Sequence, residues 1–192
     1  VVEALRTVGA GVVDYVGMDQ SGGMEGAVAR LVDLGHSRIG FVTANLNHSA
    51  HDERLAAFRA AMARHGVASA IEIEIDPTHG EAMALARQMA GTPDAPTAWV
   101  CHNDVIGLGM HRGFSDCGLV PGRDMSLIGF DIVAETDLVR PGLASVATEP
   151  VEIGVLAAQL LLRRIETPEA EVEIRRVPSH FVERGSVGAA RG

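Results

Sequence analysis

Short runs of β-branched and other apolar residues repeat along this chain, each closed by a polar turn and followed by a longer stretch with apolar residues at helical spacing. The runs predict strands over 12–18, 38–43, 70–75, 98–102, 126–130 and 145–147. The spacing predicts a helix over 23–34, with Ala27, Leu31 and Leu34 on one face and Gly35 as its stop. Helices over 54–64, 81–90 and 105–117 follow the same plan, closed by Gly66, Gly91 and Gly118. A last helix from Pro150 to about Glu166, with proline suited to its first turn, leads through Thr167 and Pro168 to a β-rich stretch over 172–182. Strands too apolar to alternate, each followed by a helix, predict an α/β fold with a doubly wound parallel sheet covered on both faces.

In such sheets ligands sit outside the carboxyl ends of the strands, so polar residues at those ends are the positional candidates. They are Asp19 and Gln20, residues 45–49, 76–79 and 102–104, and Asp131. Composition adds limits rather than a site. A chain of 192 residues that is 47% hydrophobic can bury a sizeable core. Its longest apolar runs, 97–101 and 155–162 (broken by Gln159), fall short of the roughly 20 residues a membrane-spanning helix needs. A soluble globular chain is therefore expected. The net charge of −9 repels phosphate, so these residues are not expected to bind nucleic acid by themselves. All 16 basic residues are arginine, which with the abundant alanine and glycine reads as coding bias. Cys101 and Cys117 form no CxxC pair and are expected to be reduced thiols. The apolar opening VVEAL, without a leader pattern, reads as an internal start, and the expected compartment is the cytoplasm.

Catalytic and cofactor motifs are missing from the sequence. There is no GxSxG and no P-loop, and in GLGMHRG (107–113) the third glycine falls one position late for a dinucleotide loop. His48, His51 and Asp52 have a spacing that permits a metal, but without HExxH, a cysteine partner or a second histidine pair they read as solvated loop residues. His36 follows a helix-terminating glycine, where an imidazole can bond the last carbonyls. No metal and no cofactor is expected.

Several phrases, in order, resemble the effector module of the LacI/GalR transcription regulators. Asp19 with Gly22, Gly23 and GHSRIGFV is similar to the family's entry into its next strand, and Arg54 with LAAF resembles its Arg-x-x-Gly-Phe helix, with Ala57 in place of glycine. His102-Asn103-Asp104 after the strand at 98–102, GLVPGRDMSLIGFD (118–131), RPGLASV (140–146) and FVERGS (181–186) resemble further motifs of the family, the second most specifically. The resemblance implies a periplasmic-binding-protein-like fold of two subdomains between which the chain crosses three times. Residues 1–18 and 151–165 are then expected as remnants of the N-terminal subdomain, and 21–147 with 172–184 as the C-terminal one. It implies a small-molecule effector, a homodimer, and operator DNA bound only through a helix-turn-helix headpiece that lies outside this sequence.

The resemblance also points to ligand residues, each with a plainer alternative. Arg54 near a helix start opposes the macrodipole, and its family counterpart holds ligand oxygens; the alternative is a surface pair with Asp52 or Glu53. Asp131, just after a strand, can accept two hydroxyls; the alternative is a cap on a helix near 133–139. Asn103 offers a donor and an acceptor together, whereas Asp104 reads as a helix cap or structural anchor. His79 stands where family members often carry an aromatic cover, Glu3 at an acidic ligand position and Ser49 where some members place a hydroxyl. The expected function is effector sensing by a regulator, the alternative a periplasmic sugar-binding protein of a transporter, and an enzyme on this fold ranks third.

Overall fold

The computed structural model describes residues 1–7, 11–44, 46 and 48–191. Strands β1 (Val2–Ala4) and β2 (Asp14–Asp19) are followed by α1 (Gln20–Asp33), β3 (Arg38–Ala44), α2 (Ser49–Arg64), β4 (Ser69–Ile75) and α3 (His79–Ala90). Then come β5 (Ala98–Cys101), α4 (Asp104–Asp116), β6 (Ser126–Asp131), a 3-10 turn at Ala134–Asp137, β7 (Ala144–Ala147), α5 (Pro150–Glu166), β8 (Ile174–Pro178) and β9 (His180–Val182). The predicted alternation of strand and helix is observed.

The strands form two sheets, one of six strands in the order β4-β3-β5-β6-β7-β9 and one of three in the order β1-β2-β8. All pairings are parallel except β7 with β9. The inner strands β5 and β7 are buried at every position, as continuous apolar runs require when helices cover both faces. On one face Phe41, Val100 and Ile128 pack with Met24 and Leu31 of α1 and Phe58 of α2. On the other, Val42, Trp99 and Leu127 pack with Leu85 of α3 and Met110 and Phe114 of α4. Helices α3 and α4 approach closely because α4 offers two glycines: a Cβ on Gly109 would meet the His79 carbonyl oxygen at 2.7 Å, and one on Gly113 the Met83 carbonyl oxygen at 2.5 Å.

The small sheet is held by α5, which packs on β1 and β2. Arg164 of α5 grips the buried Asp14 with Nε and Nη2 at 2.9 and 2.8 Å, and this fork draws the carboxyl down to about 2. The last β-rich stretch divides between the sheets, which corrects the assignment of 172–184 to one unit. Ile174–Pro178 pairs with β2 in the small sheet, and only His180–Val182 reaches the large one, against β7. Ser179 sits at that crossing, donating to the Asp19 carbonyl oxygen at 2.6 Å and accepting from Gly23 N–H at 3.0 Å, so it ties the third passage between sheets to the first. His36 is structural, but the partners of its ring are Thr97 Oγ1, Ser126 Oγ and the Gly188 carbonyl, all at 2.9 Å, and only its backbone N–H bonds the end of α1, at the Leu31 carbonyl. Among the described residues no helix is long and apolar enough to cross a membrane.

Candidate functional site

The carboxyl ends of β5 and β6 and the start of α2 face the segment after β1 and the passages β2–α1 and β7–α5 across a cavity of about 400 Å³. Arg54, Asn103 and Asp131 all line it.

Arg54 lies one and a half turns into α2, on the face turned toward the sheet, and is only 6% exposed. Its Nε donates to Gln20 Oε1 at 3.2 Å, Nη1 to the His102 carbonyl oxygen and Nη2 to Asp131 Oδ1 at 3.4 Å. The guanidinium carbon rides 3.6 Å above the Phe130 ring, an arrangement that suits a desolvated cation. Burial disfavours the charge, and Asp131 opposes that effect. The surface pairing with Asp52 or Glu53 does not form; Glu53 instead pairs with Arg176 at 2.7 Å.

Asp131 ends β6 with its side chain 42% exposed, so one oxygen meets Arg54 while the carboxylate still faces the cavity. Its φ of +101° and that of Ile132, +56°, turn the chain sharply at the strand end. Such non-glycine conformations cost on the order of 1–3 kcal/mol each and cluster at ligand sites. The walls around Asp131 raise its carboxyl above the usual range, and Arg54 pulls it back. Asp131 does not cap the next element: the 3-10 turn has Val133 as its cap residue and no side-chain bond there.

Asn103 takes the cap of α4 in addition to lining the cavity, and Asp104 is the structural anchor. Asn103 caps α4, its Oδ1 accepting from Ile106 N–H at 3.0 Å, which leaves its NH₂ as the end able to donate into the cavity. Asp104 is the anchor behind it, 1% exposed, accepting from Ser145 Oγ at 2.7 Å and Val133 N–H at 2.8 Å. It presses so closely on Gly129 that a Cβ there would overlap Oδ1. Burial raises its carboxyl to about 6 in spite of these donors.

The other candidates lie apart. His79 is exposed at the first turn of α3, outside the cavity lining. Glu3 sits in β1 opposite Tyr15, and Ser49 Oγ accepts from Thr7 N–H at 3.0 Å; neither lines the cavity. Asn45 and Asn47 lie outside the described residues. Gln20 and His102, positional candidates without an assigned role, do line it, and so does His48, which was expected as a solvated loop residue but caps α2; Leu5, Arg6 and Thr148 line it too, and strand-end reasoning missed them. Those three belong to segments serving the small sheet or the passage from β7, so the large sheet's pattern carries no signal for them. Among the described residues no group of three or more His, Cys, Asp or Glu is placed to hold a metal ion.

A family model described as a periplasmic binding protein-like domain matches residues 28–187. The chain belongs to this family. The relatives it resembles are LacI-type regulators. It is 28% identical over 162 residues to the ribose operon repressor of Escherichia coli, covering 83% of this chain and 49% of the repressor. It is 29% identical over 160 residues to the catabolite control protein A of Priestia megaterium, covering 82% and 48%. The chain thus spans about half the length of these curated relatives. A LacI family transcriptional regulator from Enterococcus faecium, solved with bound ribose, superposes with a TM-score of 0.89 at 26% identity, covering 99% of this chain and 71% of that one.

Proposed function

We propose that this chain is the effector-sensing part of a LacI/GalR-type transcription regulator. A small polar metabolite, sugar-like or nucleoside-like, binds in the cleft between the two sheets. Its binding biases a homodimer between two arrangements that differ in operator affinity, through a DNA-reading headpiece outside this sequence. The observation that carries the reading is the convergence of Arg54, Asn103 and Asp131 on one cavity that also takes part of its lining from the passages between the sheets. The set supplies a forked cation, an amide donor and a carboxylate without a nucleophile and base in contact, which suits recognition rather than turnover.

Ligand binding at such a place has a direct route to domain closure. Two of the passages between the sheets touch the site, Gln20 accepting from Arg54 and Thr148 Oγ1 donating to the Asp131 carbonyl oxygen at 3.5 Å, and Ser179 of the third bonds to the carbonyl of Asp19, next to Gln20. The experiment is fluorescence anisotropy of labelled operator DNA with the full-length regulator, titrated with sugars and nucleosides. One of them is expected to change operator affinity at least tenfold in the wild type and not in Arg54→Ala or Asp131→Ala. Consumption of the ligand, or an unchanged response in both variants, contradicts the reading.

A further inference from the structure

Beside the Arg54–Asp131 pair, the same side of the cavity carries a cluster of histidines. His48 caps α2, His51 lies in that helix's first turn, and His102 follows β5. The His51 ring lies 5.2 Å from that of His102 and, edge-on, 6.4 Å from that of His48. His48 and His102 line the cavity. Three ring nitrogens here, His48 Nε2, His51 Nδ1 and His102 Nδ1, are buried and lack a hydrogen-bond partner among the described residues. A buried polar atom left unsatisfied costs about 1–3 kcal/mol, so three in one cluster call for a missing partner.

We propose that His48 and His102 are specificity-determining residues that hydrogen-bond effector hydroxyl groups other than those held by Asp131, with His51 positioning the two rings. The inference rests on the proposed function and names which residues read the ligand. The pattern of donors and acceptors selects hydroxyls. His48 Nδ1 accepts from His51 N–H at 3.1 Å, so in the neutral ring the proton sits on the unpartnered Nε2, which is a donor. Burial, then Arg54, takes His102 down to about 3, and burial, then Arg6, holds His48 below its usual value, so both rings are neutral near pH 7. A neutral imidazole carries one N–H and one lone pair. A hydroxyl can accept from the first and donate to the second, whereas a carboxylate satisfies only N–H groups.

The test is titration calorimetry of the full chain with D-ribose, D-xylose and D-glucose and with each monodeoxy analogue of the sugar that binds. Wild type, His48→Leu, His102→Leu and the amide-bearing His102→Gln are compared, with circular dichroism to confirm the fold. Each leucine variant is expected to bind the parent sugar roughly ten- to a hundredfold more weakly. One deoxy analogue, already weak for the wild type, is expected to bind wild type and that variant alike, because the lost hydroxyl and the lost imidazole are the same contact. His102→Gln should recover part of the loss. Equal weakening across all analogues, or none, overturns the inference while leaving the Arg54–Asp131 site standing. If the leucine variants do not fold, a deoxy scan on the wild type that finds no hydroxyl worth tenfold overturns it as well. If none of the three sugars binds, the inference is overturned, while a nucleoside-like effector beside Arg54 and Asp131 is left standing.

Discussion

Arg54 is stabilised by partners that a ligand would share, which makes it sensitive to small changes of shape. Lysine at this position keeps the charge but cannot donate to Gln20, His102 and Asp131 together, nor stack on Phe130. Arg54→Lys is therefore expected to lose effector affinity by tenfold or more while keeping a wild-type circular dichroism spectrum, a split that calorimetry and spectroscopy read separately. Asp104 gives a pH signature. Its carboxyl sits at about 6 in the folded chain against 3.8 ordinarily, so the folded state binds the proton more tightly and this group's contribution to stability falls as pH rises from about 4 to about 6. Asp104→Asn removes that penalty. Relative to wild type, the variant should gain on the order of 1–3 kcal/mol in urea stability between pH 4 and pH 7. A parallel pair of pH curves would show that the carboxylate carries no buried charge.

At the same scale, Asp131 was legible because an acid at a buried strand's end breaks a local rule, whereas the dipole argument for Arg54 rested on a helix start that the structure moves to Ser49, so its place in the site was legible through the family resemblance. The sequence pattern read Asp104 as the helix cap or an anchor, and the cap belongs to Asn103. Both suit an N-cap, and only the register of the first turn of α4 gives the cap to Asn103.

Elements with strong periodicity were readable, and their edges were not. Helix α2 begins at Ser49, five residues before its expected start, because its cap is the His48 ring, and histidine is outside the usual capping set. The β-rich tail was recognised, yet its division into β8 and β9 depends on which sheet edge each short strand meets, a non-local matter that no pattern over 172–182 encodes. The contact of α3 with α4 gives a test at this scale. Gly113→Ala places a methyl against the Met83 carbonyl and the Ala86 side chain, so the helices must separate. A loss of about 1–3 kcal/mol in urea unfolding is expected, with circular dichroism of the folded variant unchanged. An unchanged midpoint would mean that the two helices are not held at this spacing.

For the whole molecule, family resemblance supplied what the pattern lacked, namely that the chain passes between two sheets. The alternation alone predicted one doubly wound sheet, and the cavity residues Leu5, Arg6 and Thr148 became visible only when the second sheet was in place. The small sheet also leaves apolar surface on α5, where Val151, Leu162 and Ile165 are each more than 60% exposed. Apolar surface of this kind drives association. Sedimentation velocity is expected to show concentration-dependent self-association of this chain, reduced in Leu162→Glu/Ile165→Glu; a monomer at all concentrations would show that α5 is not adhesive.

The central claim is that the cavity beside Arg54 and Asp131 holds a polar effector. Titration calorimetry of sugars and nucleosides into wild type and Asp131→Ala tests it most directly. Saturable binding of one of these ligands with 1:1 stoichiometry, weakened at least tenfold in the variant, is the predicted result. Binding that the variant leaves intact would contradict the account.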